Sequence, residues 1–141
     1  MPTAYPVDVS IKLRPIYHEE PPEICVGVNG HLSPCTLSET KDYRFQFYSD
    51  KPSTLQVEFL NKNPADTVPD LNLDKVVVIE SVSFFGITDS RFAWAGIYHP
   101  VERDPMPSHT YLSWNGTWTL NFEVPVFTWM HRTQALGWIY Q

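Results

Sequence analysis

The sequence has little of what marks most nucleic-acid-binding proteins and enzymes. Its 141 residues include only ten Lys and Arg, which are scattered, against 16 Asp and Glu. A nucleic-acid partner requires a basic stripe, so DNA and RNA are not expected partners, and the same scarcity argues against an anionic membrane surface. The chain has no GxSxG, HExxH or CxxC motif and no glycine-rich phosphate loop. No enzyme class is therefore indicated.

Long apolar runs are also missing. No stretch reaches the roughly 18 apolar residues of a membrane-spanning helix. The first residues, MPTAYPVDVSIKLRP, have neither the basic nor the apolar region of a signal peptide. These absences predict a soluble chain made in the cytoplasm.

Cysteine is scarce, with only Cys25 and Cys35. They flank Asn29-Gly30, and a two-residue hairpin there sets Cys25 opposite Pro34 and Cys35 opposite Ile24. That register is off by one residue for a disulfide, so two buried, reduced thiols are favoured, with a disulfide as the open alternative.

Apolar and aromatic residues are plentiful. Hydrophobic residues make up 43% of the chain and aromatic ones 14%, alongside 13 Pro and a net charge of −6. This composition excludes a disordered acidic chain, and the length suits one domain, residues 1–141, with a sizeable core. Aromatic residues, proline and the lack of helical periodicity favour strands and turns.

Apolar and polar residues alternate in four segments, which predicts half-buried strands at residues 7–13, 23–28, 42–48 and 54–60. Residues 76–79 are apolar on both faces, as in a central strand, and Glu80 interrupts the run. Residues 91–98 are a further strand candidate.

Asn115-Gly116 predicts a two-residue hairpin. It places Trp118, Leu120 and Phe122 on the core face. The predicted fold is all-β, a single antiparallel β-sandwich of eight or nine strands, jelly-roll-like, with an immunoglobulin-like topology as the alternative.

The acidic loop before residue 76 is a candidate metal site. Asp70, Asn72 and Asp74 are spaced i, i+2, i+4, and calcium takes oxygen ligands of these types. The EF-hand pattern fails, because Lys75 stands where Gly is needed and Ser81 where the bidentate Glu is needed. The alternative is a plain turn with Asp66 and Asp70 beside prolines and with Leu71 and Leu73 buried.

Two other groups of residues suggest chemistry. His99, Glu102, Asp104 and His109 could meet at a transition metal or in an enzyme site if their loop doubles back, although solvated loop residues are the simpler interpretation. Exposed aromatic rings stack on sugar faces, and Trp114, Trp94 and Tyr98 are the candidate ligand-binding rings, with Trp114 expected to be the most exposed.

One segment carries a resemblance to a known family. The chain contains LQVEFLNKNPADTVPDLNLDKVVVIESVSFFG, which resembles calcium-dependent, xylan-binding carbohydrate-binding modules. The resemblance implies a jelly roll with calcium at the loop, where Asp70 and Asn72 match the family's D-x-N element and Asn61 its opening Asn. Asp66 completes the predicted metal set, and sugar hydroxyls would complete the ion's shell. The chain departs from the family at Lys62, where Asp is common.

The C-terminal half, from FGITDSRFAWAGIYHP to TYLSWNGTWTLNFEVPVFTWMHRTQALGWIY, is similar to small proteins of tailed bacteriophages and marine viruses. Together the two resemblances imply a non-enzymatic module, virion-associated or involved in host recognition, that binds glycan with calcium. The alternative is a structural virion subunit whose aromatic surface forms protein interfaces. A homo-oligomer or array is expected in either case, since weak single sites gain from copy number.

Overall fold

Within the residues that the structure describes, the chain forms two antiparallel sheets and two α-helices. The computed structural model describes residues 3–139, and the side chains of residues 136–139 are outside that description. The strands are β1 Tyr5–Ile16, β2 Glu23–Val28, β3 His31–Thr36, β4 Lys41–Ser49, β5 Ser53–Phe59, β6 Val76–Phe84, β7 Ile87–Thr88, β8 Ile97–Pro100, β9 Met106–Pro107, β10 Tyr111–Leu112 and β11 Gly116–Phe122. The helices are α1 Ser90–Trp94 and α2 Val126–Ile139.

The two sheets form a sandwich. The first sheet has the order β10-β6-β1-β4, with β7 on β6, and the second has the order β3-β2-β5-β11-β8-β9. Alternating residues of the facing strands are fully buried, among them Val9, Ile11, Leu55, Val57 and Trp118. The predicted all-β sandwich is thus confirmed, and so is the central strand, since Val76, Val77 and Ile79 are buried within β6.

The hairpin that joins β2 to β3 has the predicted register. Asn29 and Gly30 both have positive φ, at 52° and 83°, as a type I′ turn requires. Cys25 pairs with Pro34 and Ile24 with Cys35. Both cysteines are free, as favoured by the predicted register. Both are half-buried, whereas the prediction was that they are buried.

The predicted hairpin at Asn115-Gly116 is wrong. β10 pairs with β6 in the first sheet, whereas β11 pairs with β5 and β8 in the second. Asn115-Gly116 is therefore a corner at which the chain crosses between sheets. A Cβ at Gly116 would overlap the backbone of His99 and Pro100, so the close approach of β8 explains the glycine. The predicted inward face of Trp118, Leu120 and Phe122 is nevertheless confirmed.

The sequence prediction missed both helices. Residues 91–98 are not one strand: α1 ends at Trp94 and β8 begins at Ile97. Near the C-terminus, Val126, Trp129 and Met130 follow the i, i+3, i+4 spacing of a buried helix face and pack into the core. In the described part of the chain, no helix is long and apolar enough to cross a membrane.

Candidate functional site

A cleft of about 170 Å³ lies between β6, the segment that leads from β7 into α1, and Thr110 just before β10. Its lining combines hydroxyl groups, two carboxylates and one indole. The lining residues are Ile79, Glu80, Ser81, Thr88, Asp89, Ser90, Ala93, Trp94 and Thr110.

A β-bulge shapes one wall of the cleft. Lys12 pairs with Ser81 and Leu13 with Ile79, so Glu80 is the extra residue of β6 that has no partner on β1. Bulges bend a strand and redirect its side chains, and they are common beside functional sites. The Glu80 carboxylate accepts a hydrogen bond from the Arg14 guanidinium, which balances its charge. The interruption of the apolar run at Glu80 was the sequence signal for this feature.

Helix α1 forms the opposite wall and carries Trp94. The indole of Trp94 is 55% exposed, the largest exposed fraction of any tryptophan whose side chain the structure describes. The main-chain carbonyl of Trp94 accepts a hydrogen bond from Ser108 Oγ at 2.8 Å. The Ser108 N–H donates to the Gly96 carbonyl at 3.0 Å. The loop before β10 therefore holds the backbone of Trp94 while its ring faces solvent.

Asp89 fixes the start of α1 beneath the cleft. Its carboxylate accepts hydrogen bonds from the Arg91 N–H at 2.9 Å and from Gln134 Nε2 at 3.0 Å, and Arg91 Nη1 lies 3.5 Å away. Burial alone would raise the pKa of Asp89, but these hydrogen bonds and the Arg91 charge hold the pKa below its ordinary value. Asp89 is thus an anion that both caps the helix and lines the cleft.

The predicted metal loop, residues 61–75, is built around two buried lysines. The side chains of Lys62 and Lys75 are only 1% and 2% exposed. Lys62 Nζ donates to Asp74 Oδ1 and to the Lys75 carbonyl, the latter at 2.7 Å. Lys75 Nζ donates to the Asn61 carbonyl at 3.3 Å and lies 3.4 Å from Asp66 Oδ2. Oxygen atoms that could bind a cation therefore already face ammonium groups.

The predicted calcium ligands are spread over this loop. Asp66 ends a 3-10 turn, Pro64–Asp66, and its carboxylate accepts a hydrogen bond at 2.8 Å from the N–H of Asn63, which caps that turn. Asp70 is exposed in the next, Pro69–Leu71, and Asn72 ends that turn with φ at 55°. The Asn61 side chain bonds instead to Glu23 N–H at 2.7 Å and Pro21 O at 3.2 Å.

The donor set of this loop does not fit a calcium ion. Calcium needs six to eight oxygen ligands, and the best-placed oxygens are occupied by Lys62 and Lys75. Within residues 3–139, no group of three or more His, Cys, Asp or Glu side chains could hold a metal. The turn interpretation holds for the backbone, but Leu71 is exposed and Leu73 half-buried, rather than both being buried.

Both lysines occupy positions at which the sequence departs from a calcium-binding motif. Lys62 replaces the family's Asp, and Lys75 stands where an EF-hand has Gly. The sequence therefore contained the signal for their role, although it did not show that residues thirteen apart would meet.

Trp114 and Tyr98 belong to the corner that docks this loop, and neither lines the cleft. Trp114 is half-buried, which corrects the prediction that it is the most exposed ring, and Lys62 Nζ lies 6.0 Å from its ring centroid. Tyr98 is 1% exposed, which corrects its assignment to an exposed aromatic face: its ring packs in the core and its hydroxyl donates to the Trp114 carbonyl. Of the three predicted rings, Trp94 alone borders the cleft.

The histidines of the enzyme alternative point to separate neighbours. His99 Nε2 lies 3.3 Å from Thr119 Oγ1, whereas the His109 ring stacks on Tyr98 with 5.7 Å between centroids. Glu102 is exposed in a turn. The described residues therefore give this alternative no support.

A second, larger cavity of about 490 Å³ lies where the β2–β3 turn faces β4. Phe45, Phe47 and Val28 line it together with Arg44, Gln46, Asn29 and His31. The Arg44 guanidinium is already engaged with Asp8 at 2.7 and 3.0 Å. The cleft beside Trp94 is the better candidate, because it combines an exposed ring with several hydroxyl groups.

Comparison with known proteins shows the fold. The sequence matches no protein-family profile and no curated protein. Among solved structures, the chain is similar to the carbohydrate-binding module vCBM60 in complex with galactobiose, with a TM-score of 0.53 and 15% identity, over 81% of this chain and 98% of that one. It is also similar to a selenomethionine form of vCBM60, from work on two families of calcium-dependent carbohydrate-binding modules, with a TM-score of 0.50 and 13% identity, over 81% and 89% of the chains. This likeness agrees with the predicted resemblance at the level of architecture.

Proposed function

We propose that this chain is a non-catalytic module that binds a neutral glycan in the cleft beside Trp94. The observation that carries the proposal is the indole of Trp94, more than half exposed at the edge of a polar cleft. Leaving a large apolar side chain in water forgoes about 2–3 kcal/mol of burial. Aromatic rings combined with a few polar groups in a concave site are the usual lining of ligand pockets.

The cleft has the chemistry that a sugar needs. The C–H groups of a pyranose face stack on an indole, while Ser81, Ser90 and Thr110 offer hydroxyls that donate to or accept from sugar hydroxyls. The cleft, at about 170 Å³, is smaller than the roughly 300 Å³ at which pockets for drug-sized ligands begin, so it suits a small group such as one sugar ring. We expect one ring to occupy the cleft and the rest of the glycan to extend over Trp94.

Charge favours a neutral ligand. Each carboxylate of the cleft is paired, Glu80 with Arg14 and Asp89 with Arg91, so neither acid is left to attract a cationic sugar. The net charge of −6 disfavours sulfated sugars and uronic acids.

The fold supports this proposal, because the structurally similar vCBM60 is a carbohydrate-binding module that was solved with galactobiose. Galactobiose is therefore the first probe. The family resemblance predicts calcium at Asp66, Asp70 and Asn72, whereas the lysine contacts of this loop argue against it. The same titrations, run in calcium and in chelator, decide between the two.

The test is a glycan array followed by calorimetric titration of the hits and of galactobiose. Trp94→Ala should abolish binding, whereas Tyr48→Ala, which removes an exposed ring on β4, should bind as the wild type does. Equal affinity of the Trp94→Ala variant and the wild type would refute the site.

A second candidate is a structural subunit, such as a virion component, that assembles through an aromatic surface. It is favoured by Phe127, which is 56% exposed and stacks on Phe85 with 4.4 Å between ring centroids. Ile87, two residues further along the chain from Phe85, is also exposed. Light scattering after size exclusion tests it: an oligomer that Phe127→Ser converts to monomer supports this candidate, and a wild-type monomer at high concentration refutes it.

A further inference from the structure

We infer that the ammonium groups of Lys62 and Lys75 organise the loop of residues 61–75 in place of a divalent cation. The loop is then organised without calcium, and the cleft beside Trp94, which no residue of this loop lines, should bind its ligand without calcium as well. The statement about binding rests on the proposed glycan-binding function, whereas the statement about the loop does not.

The two lysines reach the loop from its two ends. Lys62 follows Asn61 at the start, and Lys75 precedes β6 at the end. Lys62 Nζ bonds to Asp74 Oδ1 and the Lys75 carbonyl, and Lys75 Nζ bonds to the Asn61 carbonyl and lies 3.4 Å from Asp66. Each ammonium thus joins one end of the loop to the other, as a bound ion would.

The charges balance as they would around a calcium ion. Two ammonium groups carry a total charge of +2, and Asp66 and Asp74 supply two negative charges. A calcium ion that entered this network would have to displace at least one of the nearly inaccessible lysines. The displaced ammonium would then lose its anion, which is unfavourable for a buried charge.

The neighbouring corner holds the main chain of Lys62 and lies beside its ammonium group. Asn115 Oδ1 accepts the Lys62 N–H at 2.7 Å, and Asn115 Nδ2 donates to the Lys62 carbonyl at 3.0 Å. The Lys62 ammonium also lies 6.0 Å from the centroid of the Trp114 ring, within the range of a cation–π contact. Trp114 therefore supports the loop, which explains its half-buried position.

The experiment measures melting temperatures of the full chain in calcium chloride and in EDTA. We expect the wild type to melt at the same temperature in both. Lys62→Met and Lys75→Met should each melt roughly 10 °C lower, because each leaves a carboxylate or carbonyl without its buried cation. Lys51→Met, which alters an exposed lysine outside this loop, is the matched control and should melt as the wild type does.

Two results would overturn the inference: a rise of several degrees for the wild type in calcium, or Lys→Met variants that melt as the wild type does. The comparison of the wild type in calcium and EDTA needs no variant, so it tests the calcium independence of the loop even if a variant fails to fold. Titration of a glycan hit with and without EDTA tests the statement about binding separately. A protein that binds no glycan at all refutes the proposed function but leaves the melting result interpretable.

Discussion

Replacing Asp74 by Asn should destabilise the protein by about 3 kcal/mol near neutral pH. Asp74 Oδ1 accepts hydrogen bonds from Lys62 Nζ, from Thr67 Oγ1 at 2.8 Å and from the Lys75 N–H at 2.8 Å. An asparagine keeps an acceptor there but removes the charge opposite the Lys62 ammonium. Breaking a buried ion pair costs about 3–5 kcal/mol, and the lower end applies because the Asp74 side chain is 31% exposed and partly screened.

The contribution of Asp74 to the free energy of unfolding depends on pH and is lost in acid. Burial raises the pKa of Asp74, but hydrogen bonds from Lys62, Thr67 and the Lys75 N–H outweigh it and hold the pKa below its ordinary value of 3.8. A depressed carboxyl pKa contributes stability that is present above about pH 4 and lost as the pH falls through the folded-state value. The free energy of unfolding of the wild type should therefore fall in this acidic range, and less steeply in Asp74→Asn. Asp8 and Asp89, whose pKa values are also lowered, leave a residual slope.

Urea denaturation at about pH 7, 5 and 3 measures both effects. Asp70→Asn is the matched control, because it makes the same change at an exposed carboxylate of the same loop. A variant Asp74→Asn with the wild-type stability and acid slope would refute the reasoning. So would a larger loss from Asp70→Asn than from Asp74→Asn, which is what a calcium site at Asp70 predicts.

Two further substitutions test the packing around the site. Gly96→Ala places a Cβ that overlaps the indole of Trp118, so an overpacking cost of about 1–3 kcal/mol should lower the urea midpoint, and an unchanged midpoint would show that the ring can move aside. Asn115→Ala removes both hydrogen bonds to the main chain of Lys62, which should cost about 2 kcal/mol and speed hydrogen exchange at the Lys62 amide. Exchange at the wild-type rate would contradict the role of Asn115 in docking the loop.

The fold was predictable where a local pattern and tertiary packing favour the same state. Period-two alternation in residues 7–13 and 54–60 predicts strands, and burial of Val9 and Val57 in the sandwich confirms them. The prediction failed at Asn115-Gly116, because the pair is typical of a tight hairpin but Asn115 instead bonds to Lys62, 53 residues away.

Both helices had sequence signals that the aromatic composition obscured. Asp89 before Ser90 is a capping residue, and Val126, Trp129 and Met130 have helical spacing. A short helix within an all-β chain is easily assigned to a strand when apolar and aromatic residues are frequent, as they are in residues 91–98.

The candidate site was only partly predictable. Trp94 was among the three predicted rings, but composition could not show that Tyr98 is buried or that Trp94 stands beside a bulge at Glu80. Lysines are rarely buried, so a sequence pattern alone does not predict a buried pair. The pairing of Lys62 with Asp74 and of Lys75 with Asp66 depends on how the loop folds back.

The most direct test of glycan binding beside Trp94 is affinity electrophoresis in native gels that contain the polysaccharide identified by the array. The wild type should be retarded relative to a gel without polysaccharide, and Trp94→Ala should migrate as it does in the plain gel. Equal retardation of Trp94→Ala and the wild type would contradict binding at this cleft.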